Sequence, residues 1–229
     1  MPDRVAVGQR ILRANDDLAA ANRAMLDSAG VFSVNLMASP GAGKTSLIER
    51  TVQALAGKFR LGVIDGDLAT SLDADRAAAA GARAVQINTG GQCHLDAAMV
   101  SRGLDDLDLQ SVDLLIVENV GNLVCPVDFV LGTHRNVLIA SVPEGDDKPF
   151  KYPASYRGMN AVVLNKIDLL PHVRFDLKRF RHGVEVLNPD VDMFLVSCET
   201  GEGLPAWLGW LERKVEAFRL APEAERDAG

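Results

Sequence analysis

Cysteine and histidine are scarce in this chain, three and four among 229 residues, which excludes a disulfide scaffold. Three is an odd number for pairing, so the thiols read as reduced, buried or metal-bound. Basic residues are outnumbered, 24 Lys and Arg against 31 Asp and Glu, for a formal charge of −7. That balance argues against a broad basic face for nucleic acid, but leaves room for a small phosphorylated ligand on a local amide-lined site. No run of 18 apolar residues occurs that could span a membrane. Met1-Pro2-Asp3-Arg4 lead into a polar helix rather than an apolar signal core, so the expected location is cytoplasmic. Internal repeats and low-complexity linkers are also lacking.

What is present is ordinary globular material, 48% hydrophobic and 24% charged, enough for a sizeable core without staples. At roughly 150 residues per domain, one large domain spanning 1–229 is expected. Residues 5–29 carry apolar positions at helical spacing (Ile11, Leu12, Leu18, Met25, Leu26) and stop at Gly30, predicting an N-terminal helix packed on the domain. Strands are expected at Val31–Met37, Arg60–Ile64, Ala84–Ile87, Asp113–Val117, Asn136–Ser141, Ala161–Leu164 and Met193–Val196. Helices are expected at Ser46–Ala56 and near 72–81, 92–104, 174–187 and 204–219. Apolar strands alternating with helices predict an α/β fold, a mostly parallel sheet with helices on both faces. The polar, Pro-punctuated stretch 143–153 reads as a surface loop, and the tail at 221–229 as flexible.

After the first strand comes Ala38-Ser39-Pro40-Gly41-Ala42-Gly43-Lys44-Thr45-Ser46, and a helix follows at once. This fits a phosphate-binding loop, with Ala38 where the first Gly usually stands. Gly41 and Gly43 allow backbone amides to approach phosphate, flanking Ala42, and the helix start adds its positive dipole end. Lys44 would reach the β- and γ-phosphates while the Thr45 hydroxyl would ligate Mg²⁺.

Asn165-Lys166-Ile167-Asp168 closes a later strand. Guanine presents two donors on one edge, which the single carboxylate of Asp168 can accept together; adenine would leave it unpaired. Asn165 would hold the loop and base edge, and the Lys166 stem would cover the ring. Ser197-Cys198-Glu199 closes the next strand as a second base loop. The expected ligand is GTP or GDP. Asp67, after the second strand, and Glu118, at the end of Asp113–Val117, are the expected acidic partners of Thr45 for Mg²⁺. Asp65 reads equally well as a cap for the helix near residue 71.

Cys93 and His94 are adjacent, at the expected opening of the helix 92–104, and Cys125 lies in the loop that begins at Glu118. Two thiolates and an imidazole suit Ni²⁺ or Zn²⁺ rather than Mg²⁺. A free Cys is also commonly a small buried hydrophobe, and this spacing is no formal zinc pattern. Location favours the metal reading, since Cys125 shares a loop with the γ-phosphate sensor at Glu118–Gly121. Cys198 reads as structural, and His134, His172 and His182 as packing or surface residues.

Taken together, these motifs resemble the HypB family of hydrogenase nickel-incorporation GTPases over roughly 10–220. Ile11-Leu12-Arg13-Ala14-Asn15, Asn88-Thr89-Gly90-Gly91-Gln92-Cys93-His94-Leu95-Asp96 and Glu144-Gly145-Asp146-Asp147-Lys148 match it. The most specific stretch is Glu118-Asn119-Val120-Gly121-Asn122-Leu123-Val124-Cys125-Pro126. The resemblance implies a P-loop G domain of the SIMIBI type that hydrolyses GTP and delivers nickel to the large subunit of [NiFe]-hydrogenase. It further implies a GTP-promoted homodimer with Cys93, His94 and Cys125 near the subunit interface. Its implied partners are a HypA-type accessory metallochaperone and the hydrogenase large-subunit precursor. Residues 1–30 contain neither Cys nor His, so the N-terminal nickel motif of some members is not expected there. Lys148 and Lys151, basic residues in an acidic loop, are candidate contacts to nucleotide across such a dimer. Two alternatives compete. A urease-accessory GTPase would use Cys-Pro-His, whereas Val127 follows Cys125-Pro126 here. A phosphotransferase with an incidental metal site would need an acceptor pocket with its own acid and base.

Overall fold

Apolar side chains fall on alternate sides of most of the strand segments, and each side demands its own cover. The computed structural model describes residues 4–67 and 72–221, with the side chains of residues 4–9, Asp67 and Leu72 also outside the description. The strands are β1 (Phe32–Ala38), β2 (Leu61–Asp67), β3 (Arg83–Asn88), β4 (Leu114–Glu118), β5 (Arg135–Ser141), β6 (Ala161–Asn165) and β7 (Asp192–Leu195). They form one sheet in the order β3-β2-β4-β1-β5-β6-β7, with every pairing parallel. The expected mostly parallel sheet is therefore wholly parallel among the described residues. The helices are α1 (Arg4–Ala29), α2 (Lys44–Leu55), α3 (Leu72–Ala79), α4 (Ala97–Asp106), α5 (Lys148–Lys151), α6 (Pro153–Tyr156), α7 (Leu177–Leu187) and α8 (Leu204–Leu220). The tail 222–229 lies outside the described residues.

On one face Val34, Leu36, Ile116, Ile139 and Val163 pack against Leu47, Ile48 and Val52 of α2 and Trp207 and Leu211 of α8. The opposite face carries two separate clusters. Ile64, Leu115 and Val117 meet Leu26 of α1 and Val100 and Leu104 of α4. Leu138, Val162 and Leu164 meet Tyr156 of α6 and Phe180 and Val184 of α7. Between them runs buried polar material: Ser33 Oγ lies 2.7 Å from His134 Nδ1, whose Nε2 lies 2.8 Å from Asp27. His134 is thus a packing residue, stacked on Phe32.

Three expectations need correction. The buried stripe of α1 is Asn15, Ala19, Asn22 and Leu26, whereas Ile11, Leu12 and Leu18 are exposed. The two asparagines are buried because their amides satisfy backbone groups elsewhere: Asn15 binds Val130 O and Ala97 N, and Asn22 binds Ala97 O and Leu131 O. Helix α4 begins at Ala97 rather than near 92, because the Asp96 carboxylate accepts the Met99 N–H as an N-cap. Cys93 and His94 therefore stand in the loop ahead of it. The stretch 143–153 is not an open loop but turns through short helices. Pro149 stands in the first turn of one and Pro153 opens the next, and Pro149 is buried. Within it Lys151 pairs with Asp147 at 2.5 Å, and Lys148 sits over the Tyr152 ring.

Asp113, just ahead of β4, ties the sheet to two distant arginines. Arg60 donates to it through Nε at 3.1 Å and Nη2 at 2.6 Å, and Arg219 of α8 lies 2.7 Å away. Those guanidiniums, Arg60 foremost, hold the carboxyl down at about 2, below its ordinary 3.8. A depressed acid contributes stability above its unfolded value, lost as pH falls through its folded value. Asp113→Asn should therefore destabilise the protein by about 1 kcal/mol at neutral pH, after allowing for the exposed guanidiniums. Denaturant melts should show the difference shrinking between about pH 4 and pH 2.

Candidate nucleotide and metal sites

All strands run the same way, so their carboxyl ends share one edge, and ligands of such sheets bind there. Ala38 is the last residue of β1 and is fully buried, paired with Ile139 of β5, so a glycine there has no close approach to serve. Gly43 is different. It caps α2 at φ +99°, and a Cβ on it would lie 2.3 Å from Asn165 Nδ2, so only glycine fits. Asn165 is buried, and both ends of its amide are engaged: Nδ2 donates to Ala42 O at 2.9 Å, and Oδ1 accepts from Cys198 N at 3.2 Å. It thus pins the phosphate loop to the loop at Cys198. Lys166, at φ +62°, reaches back to Gly41 O at 2.7 Å, bringing its stem across the cleft.

Ser197 Oγ donates to Asp168 Oδ1 at 2.5 Å and accepts from Thr200 N, which aims the carboxylate. Arg50 of α2 holds the carbonyls of Cys198 and Glu199. Gly43, Ser46, Asn165, Lys166, Asp168, Cys198 and Glu199 line a cleft of about 260 Å³. Burial pushes the Cys198 thiol up to about 11, in keeping with an inert structural residue.

A second cavity, about 280 Å³, is lined by Lys44, Pro40, Asp65, Gly66, Asp73, Glu118 and Gly121 among others. Parallel register sets Asp65 of β2 beside Glu118 of β4. Thr45 Oγ1 donates to Glu118 Oε1 at 2.9 Å. Oxygens of Asp65, Asp73 and Glu118 lie within 4.8 Å of one another. Burial, opposed by Lys44 and reinforced by Asp65, pushes Glu118 up to about 8. An all-oxygen donor set of this kind suits a hard cation such as Mg²⁺, which would also favour the ionised carboxylate. The side chain of Asp67 lies outside the described residues. Asp73 is not legible in the sequence, because nothing in the first turn of α3 marks it as more than an N-terminal acid.

Ligand atoms of Cys93, His94 and Cys125 also lie within 4.8 Å of one another. Cys93 Sγ is 3.8 Å from His94 Nδ1. Cys125 opens a 3-10 turn, Cys125–Asp128, and the Phe129 ring behind it stacks on His94 with centroids 4.0 Å apart. The neighbouring Cys125 pushes the Cys93 thiol up, and burial pushes His94 down. A neutral imidazole and two thiols sharing one spot are the donor set a soft or borderline metal displaces protons from, with room for a fourth ligand.

The nucleotide-binding domain model of the CobW/HypB/UreG family matches residues 33–195. Among curated proteins, hydrogenase maturation factor HypB of Azotobacter vinelandii is 49% identical over 91% of this chain and 69% of its own. Its probable counterpart in Methanocaldococcus jannaschii is 41% identical over 93% and 96%. The chain belongs to the HypB family. A crystal structure of Helicobacter pylori HypB in complex with nickel superposes with a TM-score of 0.85 at 36% identity, covering 91% of this chain and 98% of that one. HypB membership accounts for the P-loop G-domain architecture. Among the described residues no helix is long and apolar enough to cross a membrane.

Proposed function

We propose that this chain is a GTP-hydrolysing metallochaperone that carries Ni²⁺ on Cys93, His94 and Cys125 and delivers it to the hydrogenase large-subunit precursor. One observation carries the reading: a single loop starts at Glu118, hydrogen-bonded to the phosphate-loop residue Thr45, and ends at Cys125 in the thiol–imidazole trio. Lys44 and the loop amides around Gly41–Gly43 would neutralise the phosphates of GTP, and Asp168, aimed by Ser197, would select guanine. Mg²⁺, held by Thr45 with Glu118 and the nearby carboxylates Asp65, Asp67 or Asp73, would stabilise charge on the terminal phosphates. Glu118 would order water at the γ-phosphate, yielding GDP and phosphate. Nickel is cargo here, and Zn²⁺ suits the same ligands.

The family reading extends to a GTP-promoted homodimer, a HypA-type partner and a cytoplasmic site of action. In cells lacking their own factor, the wild-type chain should restore hydrogenase activity, while Lys44→Ala and Cys125→Ala should each restore less than about a tenth of it, in line with losing phosphate or metal contacts. Full rescue by Cys125→Ala would overturn the nickel-carrying role.

A further inference from the structure

Asn119 follows Glu118 directly at the end of β4 and is fully buried. Its backbone N–H extends the ladder to Leu36 O. Its side chain, however, points its bonding across the molecule. Oδ1 accepts from Leu95 N–H at 3.0 Å and Val120 N–H at 3.0 Å, while Nδ2 donates to Asn35 Oδ1 at 3.3 Å. Leu95 is the residue after His94, and it too is fully buried. It wedges over Gly66, where an added Cβ would lie 2.6 Å from its Cγ, on the strand that carries Asp65. Three residues on from Asn119, Asn122 Nδ2 donates to Cys93 O at 3.2 Å. Between the two, Gly121 passes so close to Pro40 that a Cβ would sit 3.2 Å from its Cα.

The segment 118–122 thus touches the phosphate loop at Glu118 and Gly121 and the metal loop at Asn119 and Asn122. We propose that Asn119 is the positioning residue that transmits nucleotide state to the metal trio, through its hydrogen bond to Leu95 N–H. Any shift of Glu118 as the γ-phosphate arrives or leaves is carried by the next residue into the backbone beside His94. Asn122 supplies a second tie at Cys93. The proposal rests on the nickel-carrying reading of Cys93, His94 and Cys125. The linkage is reciprocal, so metal must change nucleotide affinity by the same factor.

The test titrates full-length protein with Ni²⁺ alone, followed by thiolate charge-transfer absorbance, with GDP and with a non-hydrolysable GTP analogue. The wild type should show Ni²⁺ affinities differing by at least about fivefold between the two nucleotide states. Asn119→Ala should bring that ratio to within about twofold of unity, with nucleotide-free Ni²⁺ and GDP affinities changed by less than about threefold. A role in folding alone would not move the ratio. A wild-type ratio of one, or an unchanged ratio in folded Asn119→Ala, overturns the proposal. If Asn119→Ala does not fold, Asn119→Ser decides, a shorter polar side chain that falls short of Leu95 N–H: its ratio should fall to about half or less, and an unchanged one overturns the proposal. Cys125→Ala separates the two levels. If it leaves Ni²⁺ binding intact, the metal reading fails; if it abolishes binding while the Asn119→Ala ratio persists, only the relay fails.

Discussion

Asp168→Asn should weaken GTP binding by at least about a hundredfold and shift preference to xanthosine triphosphate. The carboxylate would accept both donors of the guanine edge, and charged hydrogen bonds of this kind contribute roughly 1.5–3 kcal/mol each, with about 1.4 kcal/mol per decade of affinity. Ser197 donates to Oδ1 at 2.5 Å, so the substituted amide keeps its oxygen on that hydroxyl and turns its NH₂ toward the base. There it opposes the 2-amino group of guanine but meets the 2-oxo group of xanthine. Titration with fluorescent GTP and XTP analogues checks both halves of the exchange. Unchanged GTP affinity would mean that Asp168 does not read the base. Asn165→Ala should behave differently, loosening the loops at Ala42 and Cys198 without changing which base is preferred.

The second large effect concerns the metal. Cys93→Ala, His94→Ala and Cys125→Ala should each weaken Ni²⁺ or Zn²⁺ binding by at least about a hundredfold, more than the 10–100-fold typical of losing a partner behind a ligand. Each removes one of three protein donors whose atoms lie within 4.8 Å, and two are too few to hold a transition metal firmly. GTP binding to the metal-free variants should stay within about twofold of wild type, because none of the three lines either nucleotide cavity. Wild-type metal affinity in all three variants would dissolve the site. Phe129→Ala, which removes only the ring stacked on His94, should produce a smaller loss in the same titration.

Local pattern carries far in this chain. All seven strands are expected within a few residues of their ends, because buried parallel strands are short apolar runs punctuated by glycine and polar turns. The phosphate loop and Asn165–Asp168 are legible because each is a contiguous string whose chemistry depends on spacing of a few residues. Harder to read is α1, whose buried stripe is half asparagine: Asn15 and Asn22 are inside only because backbone groups at Ala97, Val130 and Leu131 await them. A hydrophobicity pattern cannot anticipate partners so far along the chain. The start of α4 differs from the expected position near 92, and Asp96, capping Met99 N–H, is the signal in the sequence that sets it.

Sequence alone determined the ligand class, the parallel α/β architecture and the three residues suited to a thiophilic metal, since each follows from residue type and short spacing. Tertiary structure alone decided which of these lie together. Register between β2 and β4 set Asp65 against Glu118, and the first turn of α3 added Asp73. The loops folding over one sheet edge brought Cys125 to Cys93 and His94. Asn119, unremarkable in the string Glu118-Asn119-Val120, joins the two sites only because the fold presents Leu95 N–H to it. Such pairings depend on strand order and loop closure, long-range properties that no window of neighbouring residues contains.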